Sequence, residues 1–296
     1  MADGPIFICG TGRSGTTLFH SMLRQHGRLY SMQSESRFLV APGGLLEARK
    51  EILSLRSLRK FRELMLGEWF RKRYRVDTPR EYEGGFFRDF EEHEVAECLD
   101  DFAERLRAGV DDAVRTLMTD LFSLGMRKAD KARWVEKTPR NVIYLRELHE
   151  LFPAAQFIHV VRDGRDVAVS ILENFWPIGE IPSMGVSFRR EPRTVQNAAR
   201  YWRDVLQSGL AAAVGLPEKT LLEIRFEDVI RNPRRTLNEV CDFLGETFDE
   251  RMLSFELDAG RLHRWREVFT PDDRATFKAE AQDMLVAYGY ERDGAW

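Results

Sequence analysis

The chain has 296 residues, 43% of them hydrophobic, which allows one large domain or two small ones at roughly 100–200 residues each. Lys plus Arg total 45 against 48 for Asp plus Glu, and a net charge of −3 argues against a general nucleic-acid binder. The three cysteines, Cys9, Cys98 and Cys241, are too scattered for a metal site and odd in number, so each reads as a structural thiol in a reducing compartment. The N-terminus has no basic stretch leading into a long apolar one, and no apolar run approaches the ~20 residues of a membrane span. A cytoplasmic protein without membrane contact is therefore expected.

Along the chain, Ile6–Cys9 is a short apolar run between Pro5 and Gly10, the pattern of a buried parallel strand. Thr16–His26 follows with Leu18, Met22 and Leu23 at helical spacing, stopping near Gly27. Leu45–Arg75 is helical in period, with a basic face of Arg49, Lys50, Arg56, Arg59, Lys60 and Arg62. Asp77–Asp89, with Pro79, Gly84 and Gly85, reads as a loop, and Glu91–Lys128 as helical with an acidic start. These oppositely charged stretches are expected to present solvated faces that pair with each other.

Strand and helix patterns then alternate. Trp134–Val135 is a short strand, Asn141–Leu151 a helix, Gln156–Val161 an apolar strand and Asp166–Asn174 the start of a helix. Trp176–Arg193 is a loop or lid, Arg193–Gly215 a helix, Thr220–Phe226 a strand, and Arg234–Leu244 and Thr276–Tyr288 are helices. This implies an α/β fold with a P-loop-type parallel sheet flanked by helices. Residues 1–296 read as a single domain, with a helical insertion at about 45–128 and the lid at about 176–193.

The segment Gly10-Thr11-Gly12-Arg13-Ser14-Gly15-Thr16-Thr17 lies between the first strand and the first helix. Glycines there let backbone N–H groups turn around an anion, and the helix N-terminus adds its dipole. Thr16 and Thr17 offer hydroxyls and Arg13 a fork-shaped cation. Gly10 and Gly15 keep the spacing of the nucleoside-triphosphatase loop, but Thr16 stands where that loop requires Lys. A kinase or nucleotide hydrolase is the alternative that this substitution argues against.

Several separated segments together resemble the sulfotransferases that use 3′-phosphoadenylyl sulfate (PAPS). Arg13-Ser14-Gly15-Thr16-Thr17 resembles their 5′-phosphosulfate loop, and Val161-Arg162-Asp163-Gly164-Arg165-Asp166-Val167-Ala168-Val169-Ser170 their 3′-phosphate segment. Glu136-Lys137-Thr138-Pro139-Arg140 is similar to their Lys-x-Pro segment. Arg225-Phe226-Glu227-Asp228 with Asn232-Pro233, and Gly260-Arg261-Leu262-His263-Arg264-Trp265, resemble later family segments. The pattern is most similar to tyrosylprotein sulfotransferases, in which Glu35 and Arg37 match a Glu base and a following Arg when one extra residue is allowed before Ser34.

The resemblance implies transfer of a sulfuryl group from PAPS to a hydroxyl acceptor, with adenosine 3′,5′-bisphosphate (PAP) released and no metal required. It makes Glu35 the base, and Lys137 and Arg13 the groups that neutralise the sulfuryl and the leaving oxygen. Arg13, Ser14, Gly15, Thr16 and Thr17 would hold the 5′-phosphate, Arg162 and Ser170 the 3′-phosphate, with Phe226 at the adenine and Arg264 completing the pocket. Arg37 and His20 are candidates for the acceptor side, and His20 a secondary candidate base. Read without the resemblance, Arg162, Asp163, Arg165 and Asp166 could equally form a surface ion-pair cluster. Trp202 and His159 read as core residues. The basic lid around Arg189, Arg190 and Arg193 fits an anionic acceptor and equally a solvated loop.

Overall fold

A computed structural model describes residues 4–36, 38–40, 43–46, 55–74, 82–173, 193–292 and 296. Strand β1 (Ile6–Gly10) runs into helix α1 (Thr16–Leu23), followed by β2 (Leu29–Ser31). Helix α2 (Leu55–Glu63) passes into a π-helical turn at Leu64–Glu68, and β3 (Lys72–Tyr74) pairs antiparallel with β4 (Tyr82–Gly84). Helices α3 (Glu92–Arg105) and α4 (Val110–Ala129) lead to β5 (Arg133–Lys137), a 3-10 turn at Pro139–Tyr144 and α5 (Leu145–Leu151). The chain continues through β6 (Gln156–Val161), α6 (Gly164–Glu173), α7 (Val195–Ala213), β7 (Leu221–Arg225), α8 (Phe226–Arg231) and α9 (Pro233–Leu244). It ends with α10 (Trp265–Val268) and α11 (Pro271–Ala287).

The main sheet has the order β2-β5-β1-β6-β7, with every neighbouring pair parallel. Alternate side chains of β1 enter different cores. Ile6 and Ile8 pack with Phe19 and Met22 of α1 and Leu237 and Val240 of α9. Phe7 and Cys9 pack with Phe122 of α4, Trp134 of β5, and Ala198 and Trp202 of α7. A strand covered on both faces has to be apolar throughout, as IFIC is. Each fully buried aromatic or branched side chain contributes about 1.5–3 kcal/mol of transfer free energy. Because β5 and β6 flank β1 on opposite sides, the strand order reverses beside β1. Ligands of open α/β sheets sit at the carboxyl end of such a reversal.

The structure departs from the sequence reading in several places, among them the β3–β4 hairpin, which takes the end of the stretch read as helical over Leu45–Arg75 and part of the Asp77–Asp89 loop. Strand β2 was not foreseen, because three residues carry too little alternation to be recognised. Strand β5 is longer than Trp134–Val135: Arg133, Glu136 and Lys137 belong to it and are all buried, so charge hid the strand from a hydrophobic pattern. The stretch read as helical over Asn141–Leu151 opens with the 3-10 turn instead. Between 45 and 128 the described residues hold helices and also the β3–β4 hairpin. Helix α4 lies directly on the sheet, where Phe122 stacks on Trp134 with ring centroids 4.3 Å apart. Among the described residues the expected pairing of basic and acidic helices is seen in the ion pair of Arg62 with Asp100 at 2.6 Å.

Candidate active site

The segment Gly10–Thr17 leaves the carboxyl end of β1 as a tight loop capped by α1. Ser14 Oγ donates to the Thr11 carbonyl at 2.8 Å. Gly15 precedes α1 with φ +90°, and a Cβ there would lie 2.1 Å from the Phe226 ring. Only glycine fits, on grounds of both backbone angle and space. At Gly12 the approaching group is Tyr201, whose hydroxyl accepts the Gly12 N–H at 2.8 Å. The first-turn N–H groups of α1 have no partner within the helix and face the loop, as an anion cradle requires.

Beside this loop, β6 ends in a second polar cluster. Arg13 donates through Nε to Ser170 Oγ at 3.0 Å, so the loop and α6 meet side chain to side chain. Arg162 donates from Nη1 to the Arg13 carbonyl at 3.2 Å and from Nη2 to the Arg261 carbonyl at 2.7 Å. Its guanidinium carbon lies 4.8 Å from the centroid of the Phe226 ring. Arg162 Nε is closed to water and finds no acceptor. Burial pulls the Arg13 guanidinium below its ordinary value, and neighbouring Arg162 and Arg261 add to the effect. Arg162 is likewise pulled down by burial, against the opposing influence of Asp166. Asp166 compensates Arg162 only in part, at 3.8 Å from Nη2, and two guanidinium groups brought this close favour an anion between them.

The surface ion-pair reading of Arg162, Asp163, Arg165 and Asp166 does not hold, since all four are at most 8% exposed. Asp163 accepts Arg165 on both carboxylate oxygens, at 2.9 Å from Nε and 2.8 Å from Nη2. The Arg165 guanidinium lies against both the Trp265 and Trp296 rings, 4.0 and 4.6 Å from their centroids. Asp166 accepts the backbone N–H groups of His263 and Trp265 at 2.7 and 3.1 Å. These residues pin the chain around 261–265 to the start of α6. Arg264 projects instead to Glu173, one turn beyond Ser170, in an exposed pair at 2.5 Å. Trp202 is fully buried and donates its indole N–H to the Arg162 carbonyl at 3.1 Å, supporting the pocket from the core. His159 is also buried, with Nδ1 3.1 Å from Glu223.

Across the sheet reversal stand the remaining candidates. Lys137, at the end of β5, donates to Glu35 Oε1 at 2.7 Å and reaches toward Thr17 Oγ1 at 3.4 Å. One side chain thus links the phosphate loop to the candidate base. Glu136, the preceding residue, points the opposite way into the core and accepts from Ser36 Oγ at 2.5 Å, Thr138 Oγ1 at 2.7 Å and Asn141 Nδ2. Burial pushes its carboxyl up, and those donors work against the shift. His20 Nε2 lies 2.5 Å from Ser31 Oγ, and burial with nearby Lys137 and Arg24 holds its imidazole well below the ordinary value. His20 is therefore neutral at pH 7. His26 bonds the Thr247 carbonyl at 2.9 Å, away from the loop. Arg37, and all of the lid except Arg193, lie outside the described residues.

Sequence reasoning missed the Glu136 cluster and Tyr201. A carboxylate inside an otherwise buried strand was the available signal for Glu136. Tyr201 left none, because an aromatic on an amphipathic helix looks like core. Burial pushes the Tyr201 phenol up; the Gly12 N–H, Arg140 and Arg13 oppose this, and Glu35 adds to it. Tyr201 thus senses both the loop and the candidate base. Among the described residues no three His, Cys, Asp or Glu side chains are grouped as a metal site, and no helix is long and apolar enough to cross a membrane.

Comparison with known proteins places this geometry in context. Residues 5–250 match a family model described as "Sulfotransferase family". The protein-tyrosine sulfotransferase A of Caenorhabditis elegans is 25% identical over 257 residues, covering 86% of this chain and 53% of that protein. The chain thus spans about half the length of this relative. A sulfotransferase domain from the curacin biosynthetic pathway superposes with a TM-score of 0.61 at 19% identity, covering 97% of this chain and 98% of that one. A sulfotransferase domain from the Synechococcus PCC 7002 olefin synthase gives 0.51 at 20% identity, with 93% and 94% covered. These two likenesses establish a shared fold.

Proposed function

The chain belongs to the sulfotransferase family, and from that premise we propose that it transfers a sulfuryl group from PAPS to an acceptor hydroxyl and releases PAP. The observation that carries the reading is the second anion pocket beside the phosphate loop, where Arg13, Ser170 and Arg162 converge and Arg162 Nε has no acceptor. A donor with phosphates at both the 5′ and 3′ positions matches two such pockets. ATP matches one. Thr16 in place of the P-loop Lys also disfavours a kinase or hydrolase.

In this reading the first turn of α1, with Ser14, Gly15, Thr16 and Thr17, holds the 5′-phosphate, and Arg162 with Ser170 holds the 3′-phosphate. Phe226 supplies an apolar surface under the nucleotide, and Arg264 borders the pocket from the Glu173 side. Glu35 takes the acceptor proton as the new O–S bond forms and the bond from sulfur to the bridging phosphate oxygen breaks. Lys137 reaches both Glu35 and the loop, so its ammonium pairs with the carboxylate and can shift toward the leaving oxygen. Arg13 adds a second positive charge there. Such transfers depend chiefly on positioning and charge neutralisation, and preorganised donors are often the largest single effect. No residue in this scheme calls for a metal.

The acceptor is a hydroxyl compound, and a tyrosine side chain is the first to test because a relative is named a protein-tyrosine sulfotransferase. His20, neutral and bonded to Ser31, borders the same side as Glu35 and Lys137. From the family likeness alone we propose that Arg37 also contacts the acceptor. The deciding experiment is calorimetric titration with PAP and ATP. The proposal requires PAP to bind far more tightly; tighter ATP binding would return the chain to the nucleotide hydrolases and kinases.

A further inference from the structure

The scheme above uses Arg13, Lys137 and Arg162, yet another sequestered guanidinium stands at the same sheet edge. Arg140 is the second residue of the 3-10 turn Pro139–Tyr144, immediately after β5. Strands β1 and β5 are parallel with Ile8 opposite Lys137. Two residues further on, the opening of the phosphate loop is therefore level with this turn. Helix α7 packs against the turn from its other side and delivers Tyr201 to the Gly12 N–H. Arg140, Arg13 and Glu35 all act electrostatically on that phenol.

The half-buried Arg140 has Nε and Nη2 closed to water, and neither donates a hydrogen bond. Its guanidinium carbon is 5.9 Å from the Tyr144 ring centroid, at the outer edge of a cation–π contact. Other interior arginines contrast with it. Arg133 donates to the Gly4 and Leu244 carbonyls and to Gln156. Arg165 is bound by Asp163 and Glu291. Among the described residues, the arginines with buried donors lacking an acceptor are Arg140 and Arg162. Withdrawing a guanidinium from water without pairing its N–H groups costs stability, and the planar fork matches a carboxylate or sulfonate edge. Arg162 shows this signature where an anion is already assigned.

We propose that Arg140 is an additional oxyanion receptor on the Tyr201 side of the phosphate loop. Its ligand is either the sulfonate oxygens of the donor's transferable group or an anionic group carried by the acceptor beside its hydroxyl. The inference rests on the PAPS reading and adds to it a residue that reads the part of the reactants beyond the 5′-phosphate. Three titrations of the intact chain test it: PAP, PAPS, and inorganic sulfate added to the PAP-loaded protein, each on wild type, Arg140→Met and Arg140→Lys.

PAP affinity should stay within about twofold in both variants, because the nucleotide pockets lie elsewhere, whereas losing a charge-assisted contact typically costs about tenfold or more. If the sulfonate is the ligand, Arg140→Met weakens PAPS relative to PAP by that factor. If the anion arrives with the acceptor, PAPS is unchanged and the variant loses sulfate binding to the PAP-loaded protein. Arg140→Lys should fall between, keeping the charge without the fork. Thermal melting adds an independent measure: Arg140→Met should leave the melting temperature unchanged or raised, since it removes an unpaired buried cation. The inference is overturned if all three titrations match wild type, or if Arg140→Met melts early and loses PAP, which would make the residue structural. A wild-type chain that ignores PAP would instead sink the PAPS reading itself, and this inference with it.

Discussion

The two sides of the phosphate loop are built differently. On the β6 side, Asp163, Arg165 and Asp166 are saturated by backbone N–H groups, carboxylates and two indole rings, and they fix Arg162 from behind. On the β5 side, one ammonium, Lys137, joins Glu35 and Thr17, and one buried carboxylate, Glu136, ties Ser36 and Asn141 together. The first arrangement suits a site that must hold a constant ligand. The second suits groups that shift partners during a transfer. If this contrast is right, damage on the β5 side should appear in turnover, and damage on the β6 side in nucleotide affinity.

The largest effect is expected at Lys137. Lys137→Ala should lower turnover of labelled PAPS by about 10²–10³-fold, the range for losing one preorganised charge-stabilising donor. PAP affinity should change by no more than a few-fold. A variant that lost PAP binding as severely as turnover would erase the distinction between the two sides.

Arg162→Ala should do the opposite. Hydrogen bonds to charged groups are worth about 1.5–3 kcal/mol, so PAP binding should weaken roughly 10–100-fold. Adenosine 5′-phosphate, which lacks the 3′-phosphate, should bind the variant and wild type alike. Equal losses for both ligands would show that Arg162 supports the loop rather than the 3′-phosphate.

Much of the β6 side was legible in the sequence, and the reason is contiguity. Gly10–Thr17 and Arg162–Ser170 each lie within one strand-turn-helix passage, so spacing alone brings their groups to a strand end. The β5 side is gathered from separate passages: Glu35 and Ser36 after β2, Lys137 and Asn141 around β5, Tyr201 from α7. Glu35 and Lys137 could be named only through a family likeness. The hydrogen bond from Ser36 to Glu136 joins passages a hundred residues apart and follows the pairing of β2 with β5, which no local pattern reports. Arg264 shows another limit: the sequence marks a basic residue in this passage but does not report its pairing with Glu173.

Glu136 offers a finer test of the β5 side. Its carboxylate accepts three donors, one of them from the residue after Glu35. Glu136→Gln keeps the shape but replaces one acceptor oxygen with a donor, leaving a buried polar group mismatched at a cost of about 1–3 kcal/mol. The chain should melt several degrees lower, and turnover should fall about tenfold or less as Glu35 loses its fixed position, with the PAP affinity of the folded protein unchanged. Glu136→Asp, which keeps the charge on a shorter arm, should recover part of the turnover. If turnover is untouched while stability drops, Glu136 braces the strand and has no part in placing Glu35.

The smallest effect separates His20 from Glu35 as the proton acceptor. Burial, Lys137 and Arg24 hold the His20 imidazole well below the ordinary histidine value of about 6.5, so the folded chain keeps it neutral where the unfolded chain would protonate it. Below pH 6.5 the unfolded state therefore binds the additional proton, and folding stability falls as pH drops from there toward the depressed folded value. The slope contributed by one such group is at most about 1.4 kcal/mol per pH unit. Denaturant unfolding of wild type and His20→Gln between pH 5 and 7.5 isolates it: the variant should lose that part of the pH dependence. Its turnover at pH 7 should stay within about threefold of wild type, because a group acting only through packing and one bond to Ser31 takes no proton from the acceptor. A fall of the size expected for a general base, about 10²–10⁴-fold, would transfer that role from Glu35 to His20.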